Sequence, residues 1–386
     1  MEMNNKNNEM IVYNTFIYNK ERIAGQKIIN GEFIIYKQLA TGSYWNVYLV
    51  KRKSSNDLNN LVDEQTSLYV FKEGIMDQIS SEFFDLNLAK SDSMSFGCNK
   101  DLLNRLNQDK ENLEKNLSLF DSIQPVLEDD EIVSRLTNEE TETRTGMREY
   151  HILKKLNHLN IARLYECIMD IEKNKVVLVM EYADLGTLMR PSNNMNYYDY
   201  NVELINYILK ECVKTSDVLV DYEDCVNFLK HHKVLVRSGR YLFKMLAEAI
   251  KYLHDKLIAH RDIKPENILL KSKDKQLKLV DFSIARVMKS YEESIVSDSG
   301  TCPFKCKESY QEAYNPFKAD VYSFGASLFV YLFNRFSYDL NDDVEDVLLL
   351  KQVYPQVYQL LNLILYKNLD DCPTIDEVLE HDYFKL

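Results

Sequence analysis

The chain is poor in the features that would send it to a membrane, the secretory path or a nucleic acid. Its net charge of −13 argues against a general nucleic-acid binder and against attraction to anionic lipid. No run approaches the ~18 consecutive apolar residues of a membrane span. The start, MEMNNKNNEM, lacks the basic and apolar regions of a signal peptide and the Met-Gly that myristoylation needs. Seven cysteines form no paired framework, and Cys302 and Cys306 lack the CxxC spacing of a metal or redox site, so reduced thiols are expected. The expected compartment is therefore the cytoplasm, with the nucleus as the alternative. Ten glycines among 386 residues make each one informative about the backbone.

What is present is ordinary for a globular protein, 45% hydrophobic and 28% charged. The length exceeds what one core sustains, ~250–300 residues, and points to two lobes. Residues 1–30 are Asn-rich at first and read as a poorly ordered polar arm, with order expected from 31 to 386. β-rich runs at 32–39, 44–50 and 67–72 predict an antiparallel meander. A segment at about 75–144, where acidic residues outnumber basic ones, reads as an insertion with a solvated acidic face. Helical spacing returns at 146–156, and two further strands are expected at 161–168 and 175–180. These make a five-stranded antiparallel sheet with one helix, an α+β N-terminal lobe over 31–181.

A connector at 181–186 leads into a mainly helical lobe, 187–386. It opens with a second irregular insertion at about 190–236, carrying a helix-like patch at 202–212. An amphipathic helix is expected at 239–256, a short hairpin at 267–270 and 277–280, and a buried helix at 320–333. The last helix falls at 374–381, which leaves no room for a regulatory tail.

The chemistry concentrates in the run His260, Arg261, Asp262, Ile263, Lys264, Pro265, Glu266, Asn267. Asp262 can accept a proton from an attacking hydroxyl. Lys264 can neutralise a migrating phosphoryl group, and Asn267 offers a hard amide oxygen to Mg²⁺. Asp281 closes an apolar strand and can share that metal. Lys72, at the end of the third strand, can reach nucleotide phosphates if Glu149 on the following helix anchors it. Gly42 sits in a turn between two strands, where a phosphate cover belongs. Thr301 can hydrogen-bond Asp262 and Lys264 and so shape the acceptor site. Taken singly, each of these is a turn residue, a strand-end lysine or a surface loop; together and in this order they spell phosphoryl transfer.

These motifs resemble the eukaryotic protein kinase superfamily over roughly residues 30–386 outside the two insertions. The resemblance implies a two-lobed kinase fold that uses ATP and Mg²⁺ to phosphorylate a protein hydroxyl. It makes Met180 the gatekeeper and Glu181 and Ala183 part of the adenine-binding hinge. Val47, Val70 and Leu269 would sandwich the adenine, with Leu39 and Gly42 also on the nucleotide side. Leu153, Leu164, His260, Phe282 and Asp320 match the hydrophobic spine, and Lys264 is the form found in serine/threonine kinases. Ser297 falls where an activation-loop phosphate would sit, with Arg261 as its partner.

Residues 149–167 and 180–189 resemble more narrowly the calcium/calmodulin-dependent protein kinase kinases. That likeness implies a protein substrate that is itself a kinase. The departures point to the alternative, a pseudokinase scaffold that binds nucleotide and partners without turnover. Ala40 and Trp45 replace loop glycines, and a bulky indole there is expected to weaken nucleotide binding. Ser283 replaces a glycine beside Asp281. Cys306 stands in place of an alanine, and Cys372 in place of the arginine that would pair with Glu308. The acidic insertion, the oligomeric state and the physiological substrate are left open by the sequence.

Overall fold

A computed structural model describes residues 12–14, 20–23, 26–29, 33–41, 45–52, 68–75, 146–170, 175–192, 198–212, 228–310, 313–336, 351–365 and 368–385. The expected acidic insertion and Gly42 lie outside the described residues.

The first lobe is built on one sheet. Its strands are β1 (Val12–Asn14), β2 (Lys20–Ile23), β3 (Gln26–Ile29), β4 (Phe33–Thr41), β5 (Asn46–Arg52), β6 (Leu68–Ile75), β7 (Leu164–Asp170) and β8 (Lys175–Glu181), and helix α1 (Gly146–Leu153) falls between β6 and β7. The strand order is β1-β7-β8-β6-β5-β4-β3-β2. The five expected strands, β4 to β8, are neighbours and antiparallel.

Three short strands within the stretch expected to be a polar arm extend the sheet at both edges. β1 pairs parallel to β7, and the β2–β3 hairpin pairs through β3 with β4. Sheet edges offer unpaired N–H and C=O groups, and short runs such as Val12-Tyr13 and Ile28-Ile29 suffice to take them.

Alternation along β8 divides the lobe. Val177 and Val179 join Phe33, Val50, Phe71 and Ile168 in a small core on one face. Val176, Leu178 and Met180 belong to the main core, with Tyr150, Ile152 and Leu153 of α1. Lys72 pairs in register with Leu178, which puts its side chain on the helix-bearing face.

The second lobe follows with β9 (Gly186–Thr187), β10 (Met189–Pro191), β11 (Tyr198–Tyr200) and α2 (Val202–Tyr207). Helix α3 (Phe228–Asp255) starts inside the stretch read as an irregular insertion and continues through the expected amphipathic segment. After β12 (Ile258–Ala259), the hairpin β13 (Ile268–Lys271) and β14 (Gln276–Leu279) forms where expected, and β15 (Arg286–Val287) pairs back to β12. Helix α4 (Pro316–Phe333) is fixed at both ends. Asn315 accepts from the N–H groups of Phe317 and Lys318, Pro316 opens the helix, and Asn334 closes it with a left-handed φ of 52°. Fifteen of its residues are buried, among them Phe317, Phe324 and Phe329, which explains the absence of a polar face. Helices α5 (Pro355–Leu365), α6 (Ile375–Leu379) and α7 (Asp382–Lys385) complete the chain, and a Thr374–Glu377 capping box starts α6. No described helix is long and apolar enough to cross a membrane.

Candidate active site

The loop between β12 and β13 is held from beneath by one carboxylate. Asp320, fully buried in α4, accepts from the backbone N–H of His260 at 2.8 Å and of Arg261 at 2.7 Å, and contacts His254 Nε2 at 3.1 Å. Arg261 takes a positive φ of 69°, a conformation an L residue keeps only when its surroundings impose it, and these bonds supply the constraint. His260 is buried and neutral. Its Nδ1 accepts from Asp262 N, so its Nε2 donates to Val280 O at 3.1 Å, and burial lowers its pKa despite the nearby acids. Its ring meets Phe282 edge-on at 4.8 Å. Leu153 and Leu164 are buried in the same core, so the expected spine residues are all interior.

On this base the catalytic candidates converge. Asp262 Oδ1 accepts from Thr301 Oγ1 at 2.6 Å, and Thr301 Oγ1 accepts from Lys264 Nζ at 2.7 Å. Lys264 Nζ also lies 2.9 Å from Asp262 Oδ2. Asn267 Nδ2 donates to the backbone oxygen of Asp262 at 2.8 Å and to its Oδ2 at 3.1 Å. The donor half of that amide is thus committed, and its oxygen is left to act as a ligand.

A second cluster joins the lobes. Lys72 Nζ donates to Glu149 Oε1 at 2.8 Å and Oε2 at 2.6 Å, and to Asp281 Oδ1 at 2.7 Å. Phe282 N adds a bond to Glu149 at 3.2 Å. Burial alone would lower the Lys72 pKa, but the Asp281 and Glu149 carboxylates outweigh it and hold the ammonium above its ordinary value. Burial pushes the Glu149 carboxyl up, opposed by Lys72 and the Phe282 N–H. Asp281 also feels desolvation, yet the Lys72 ammonium and hydrogen bonds from Lys72 and Ser283 hold it well below the usual carboxylate range. Asp281 has a φ of 66°, the second left-handed residue in the site.

The nucleotide-side candidates are distributed over both lobes. Val47 pairs with Lys72 and Val70 with Met180, which is buried. Leu39, 40% exposed, falls at a register shift of β4 between Gln38 and Ala40, and Leu269 pairs with Thr187 on the second lobe. Ala183 is buried, and the Glu181 N–H donates to Arg163 O at 2.8 Å.

The side chain of Glu181, which the sequence reading passed over, grips the second lobe. It accepts from Lys271 at 2.6 Å and lies 3.1 Å from Lys278. The signal for it was faint: two lysines on one hairpin, seven residues apart. Tyr198 was also missed. Its hydroxyl donates to Glu266 Oε1 at 3.1 Å, tying the β10–β11 hairpin to the catalytic loop, and burial raises the pKa of both groups.

The segment expected to carry the activation-loop phosphate is held by Arg261. The Arg261 guanidinium donates to the Ser297 hydroxyl and to Ile284 O at 3.3 Å, and Ser297 is buried. The Glu308 side chain is 22% exposed with Lys307 3.9 Å away. Cys372 is buried with its thiol pushed up to about 12, so it is neutral and gives Glu308 no countercharge. Trp45, expected as an obstacle over the phosphates, is instead packed into the main core.

The donor set fits a nucleotide with a divalent cation. An ionised Asp281 and the Asn267 amide oxygen are hard ligands, and the Lys72 ammonium beside them is suited to phosphate. Among the described residues no cluster of three His, Cys, Asp or Glu side chains offers a rival metal site.

Comparison with known proteins agrees with this arrangement. A family profile described as "Protein kinase domain" matches residues 131–384. The match begins after β6, so Lys72 lies outside it and is joined to the site by the folded geometry. The chain is 23% identical over 252 residues to "Serine/threonine-protein kinase par-4" of Caenorhabditis briggsae, covering 61% of this chain and 33% of that protein. It is 30% identical over 185 residues to "Myosin light chain kinase family member 4" of Homo sapiens, covering 48% and 38%. It is 27% identical over 261 residues to the mitogen-activated protein kinase kinase MST7 of Pyricularia oryzae, covering 62% and 53%. The chain thus spans from a third to about half of the length of these relatives.

Proposed function

The chain belongs to the protein kinase domain family, and from that membership we propose that it transfers the γ-phosphate of ATP, with Mg²⁺, to a serine or threonine hydroxyl of a protein. One observation carries the reading: the Asp262 carboxylate faces a hydroxyl, Thr301 Oγ1, at 2.6 Å, and that hydroxyl faces the Lys264 ammonium at 2.7 Å. A carboxylate and an ammonium that share a hydroxyl form an environment suited to an acceptor alcohol.

In this reading Asp262 orients the acceptor hydroxyl and takes its proton. Lys264 balances the charge on the transferring group, and Thr301 holds the two at a fixed spacing. Lys72, anchored by Glu149, positions the α- and β-phosphates. Asn267 and Asp281 would hold the magnesium, which when bound draws charge from the phosphate oxygens. Met180, Glu181, Ala183, Val47, Val70 and Leu269, with Leu39 beside them, would receive the adenine, and Gly42 belongs to the turn that covers the phosphates. Catalysis of this kind is positioning and electrostatics rather than covalent chemistry.

We read the substrate as another kinase. The likeness of residues 149–167 and 180–189 to calcium/calmodulin-dependent protein kinase kinases supports this, as does the similarity to a relative named a mitogen-activated protein kinase kinase. The second reading is a scaffold without turnover. It is favoured by Ala40 in place of a phosphate-cover glycine and by the Lys72–Asp281 contact, which neutralises a metal-side carboxylate.

Transfer from [γ-³²P]ATP to a peptide library separates the two. Wild-type transfer well above that of Asp281→Ala is expected, with peptides from kinase activation loops preferred. Equal transfer by the two proteins establishes the scaffold.

A further inference from the structure

Trp45 precedes β5, and its indole crosses beneath β6. A β-carbon on Gly74 would lie 2.5 Å from Trp45 Cζ3, 2.6 Å from Cε3 and 2.9 Å from Cη2. No side chain fits there, so the glycine is the space the ring occupies. Residues 72 and 74 share one face of the strand. The ring that fills the place over Gly74 therefore also lies over Lys72, whose Nζ is 4.6 Å from its centroid.

The ammonium is thus held by three groups. Glu149 and Asp281 take its hydrogen bonds at 2.6–2.8 Å, and the indole face covers it. Trp45 is only 9% exposed, and its Nε1–H is buried without an acceptor among the described residues. Packing alone does not require an indole here: a leucine would fill much of the same volume with no polar atom to bury. A π face, by contrast, attracts a cation, and more strongly as water is excluded.

We propose that Trp45 is a positioning residue for Lys72: its ring face, admitted by Gly74, holds the ammonium where nucleotide phosphates are received. The proposal rests on the reading of Lys72 as a phosphate ligand. It also inverts the expectation that an indole at this place in the phosphate cover hinders binding. Trp45 and Gly74 act as one unit, because a side chain at either position without the fitting partner displaces the ring from the ammonium.

The test is ATP affinity by equilibrium dialysis with Mg²⁺, which needs no phosphoryl transfer. Trp45→Phe keeps a π face and should bind within about threefold of wild type, whereas Trp45→Leu should bind about tenfold more weakly. Gly74→Ala should reproduce the Leu defect. Thermal unfolding reports whether each variant is folded.

The wild-type protein supplies a readout free of mutation, because Trp45 is its single tryptophan. Its emission should change saturably as Mg²⁺ and ATP are added, with the midpoint found by dialysis. Equal affinity in Trp45→Leu and wild type, a Phe variant as weak as the Leu variant, or emission that is flat through ATP saturation overturns the proposal. Absence of ATP binding by the wild-type chain overturns the functional reading and this proposal with it.

Discussion

The ammonium of Lys72 touches the carboxylate of Asp281 at 2.7 Å while it also binds Glu149. One cation therefore joins the α1 carboxylate to that of Asp281, and each acid depends on it.

Removal of that cation leaves Glu149 buried with no countercharge. Lys72→Met should lose about 3–5 kcal/mol of stability, the usual cost of stripping one partner from a buried pair. Urea unfolding measures it. A Lys72→Met, Glu149→Leu double variant should recover part of the loss, since no charge is then left buried.

Asp281 sets a dependence on acid. Its folded pKa is depressed, so its contribution to stability is complete above the unfolded value, about 3.9, and is lost as pH falls below it. Neutral, buried His260 acts with the same sign at higher pH, since the unfolded chain takes up its proton below about 6.5. Denaturant titrations from pH 3 to 7 should show wild type losing stability below about pH 4 more steeply than Asp281→Asn. Parallel curves would contradict the Lys72–Asp281 contact.

Thr301 should act through geometry. Thr301→Ala removes the hydroxyl between Asp262 and Lys264, and peptide phosphorylation should fall about tenfold or more in kcat/KM, the size of one lost charge-assisted bond. Thr301→Ser keeps the oxygen and should restore most of the rate.

Ser297 is buried against the Arg261 guanidinium. Ser297→Ala should lower peptide phosphorylation, and mass spectrometry of active protein should find phosphate on Ser297. The neighbouring Asp298 carboxylate pairs with Lys305 at 2.6 Å. Full activity of the alanine variant would remove Ser297 from regulation.

Asp320 carries the loop's backbone. Asp320→Ala strands two N–H donors and the His254 ring, so a loss of roughly 3 kcal/mol or more is expected by chemical denaturation. Activity should fall further than folding alone explains, because Arg261 loses what holds its left-handed φ.

Much of this was legible in the chain. The strands β4 to β8 follow from β-prone runs, and Asp262, Lys264, Asn267 and Asp281 from spacing. The contacts that unite them were harder to read. Lys72 and Glu149 are 77 residues apart, and Lys72 and Asp281 are 209 apart. No local pattern records that one ammonium serves both. The left-handed backbones at Arg261 and Asp281 carry no glycine to announce them. The indole of Trp45 reads as an obstacle until Gly74, in the next strand, supplies the space it fills. The edge strands β1 to β3 are short runs set among Asn-rich residues, and only a finished sheet edge gives them partners.

The grip of Glu181 on Lys271 and Lys278 has a consequence for ionic strength. The Glu181 and Lys278 side chains are each only 6% exposed, so dissolved ions reach that contact poorly. Asp298, paired with Lys305 in the activation segment, is 84% exposed and open to screening. Added salt should therefore loosen the activation segment while the join behind the hinge stays closed. Of these two ion pairs, the one between Glu181 and Lys278 should be the last to part as salt is raised.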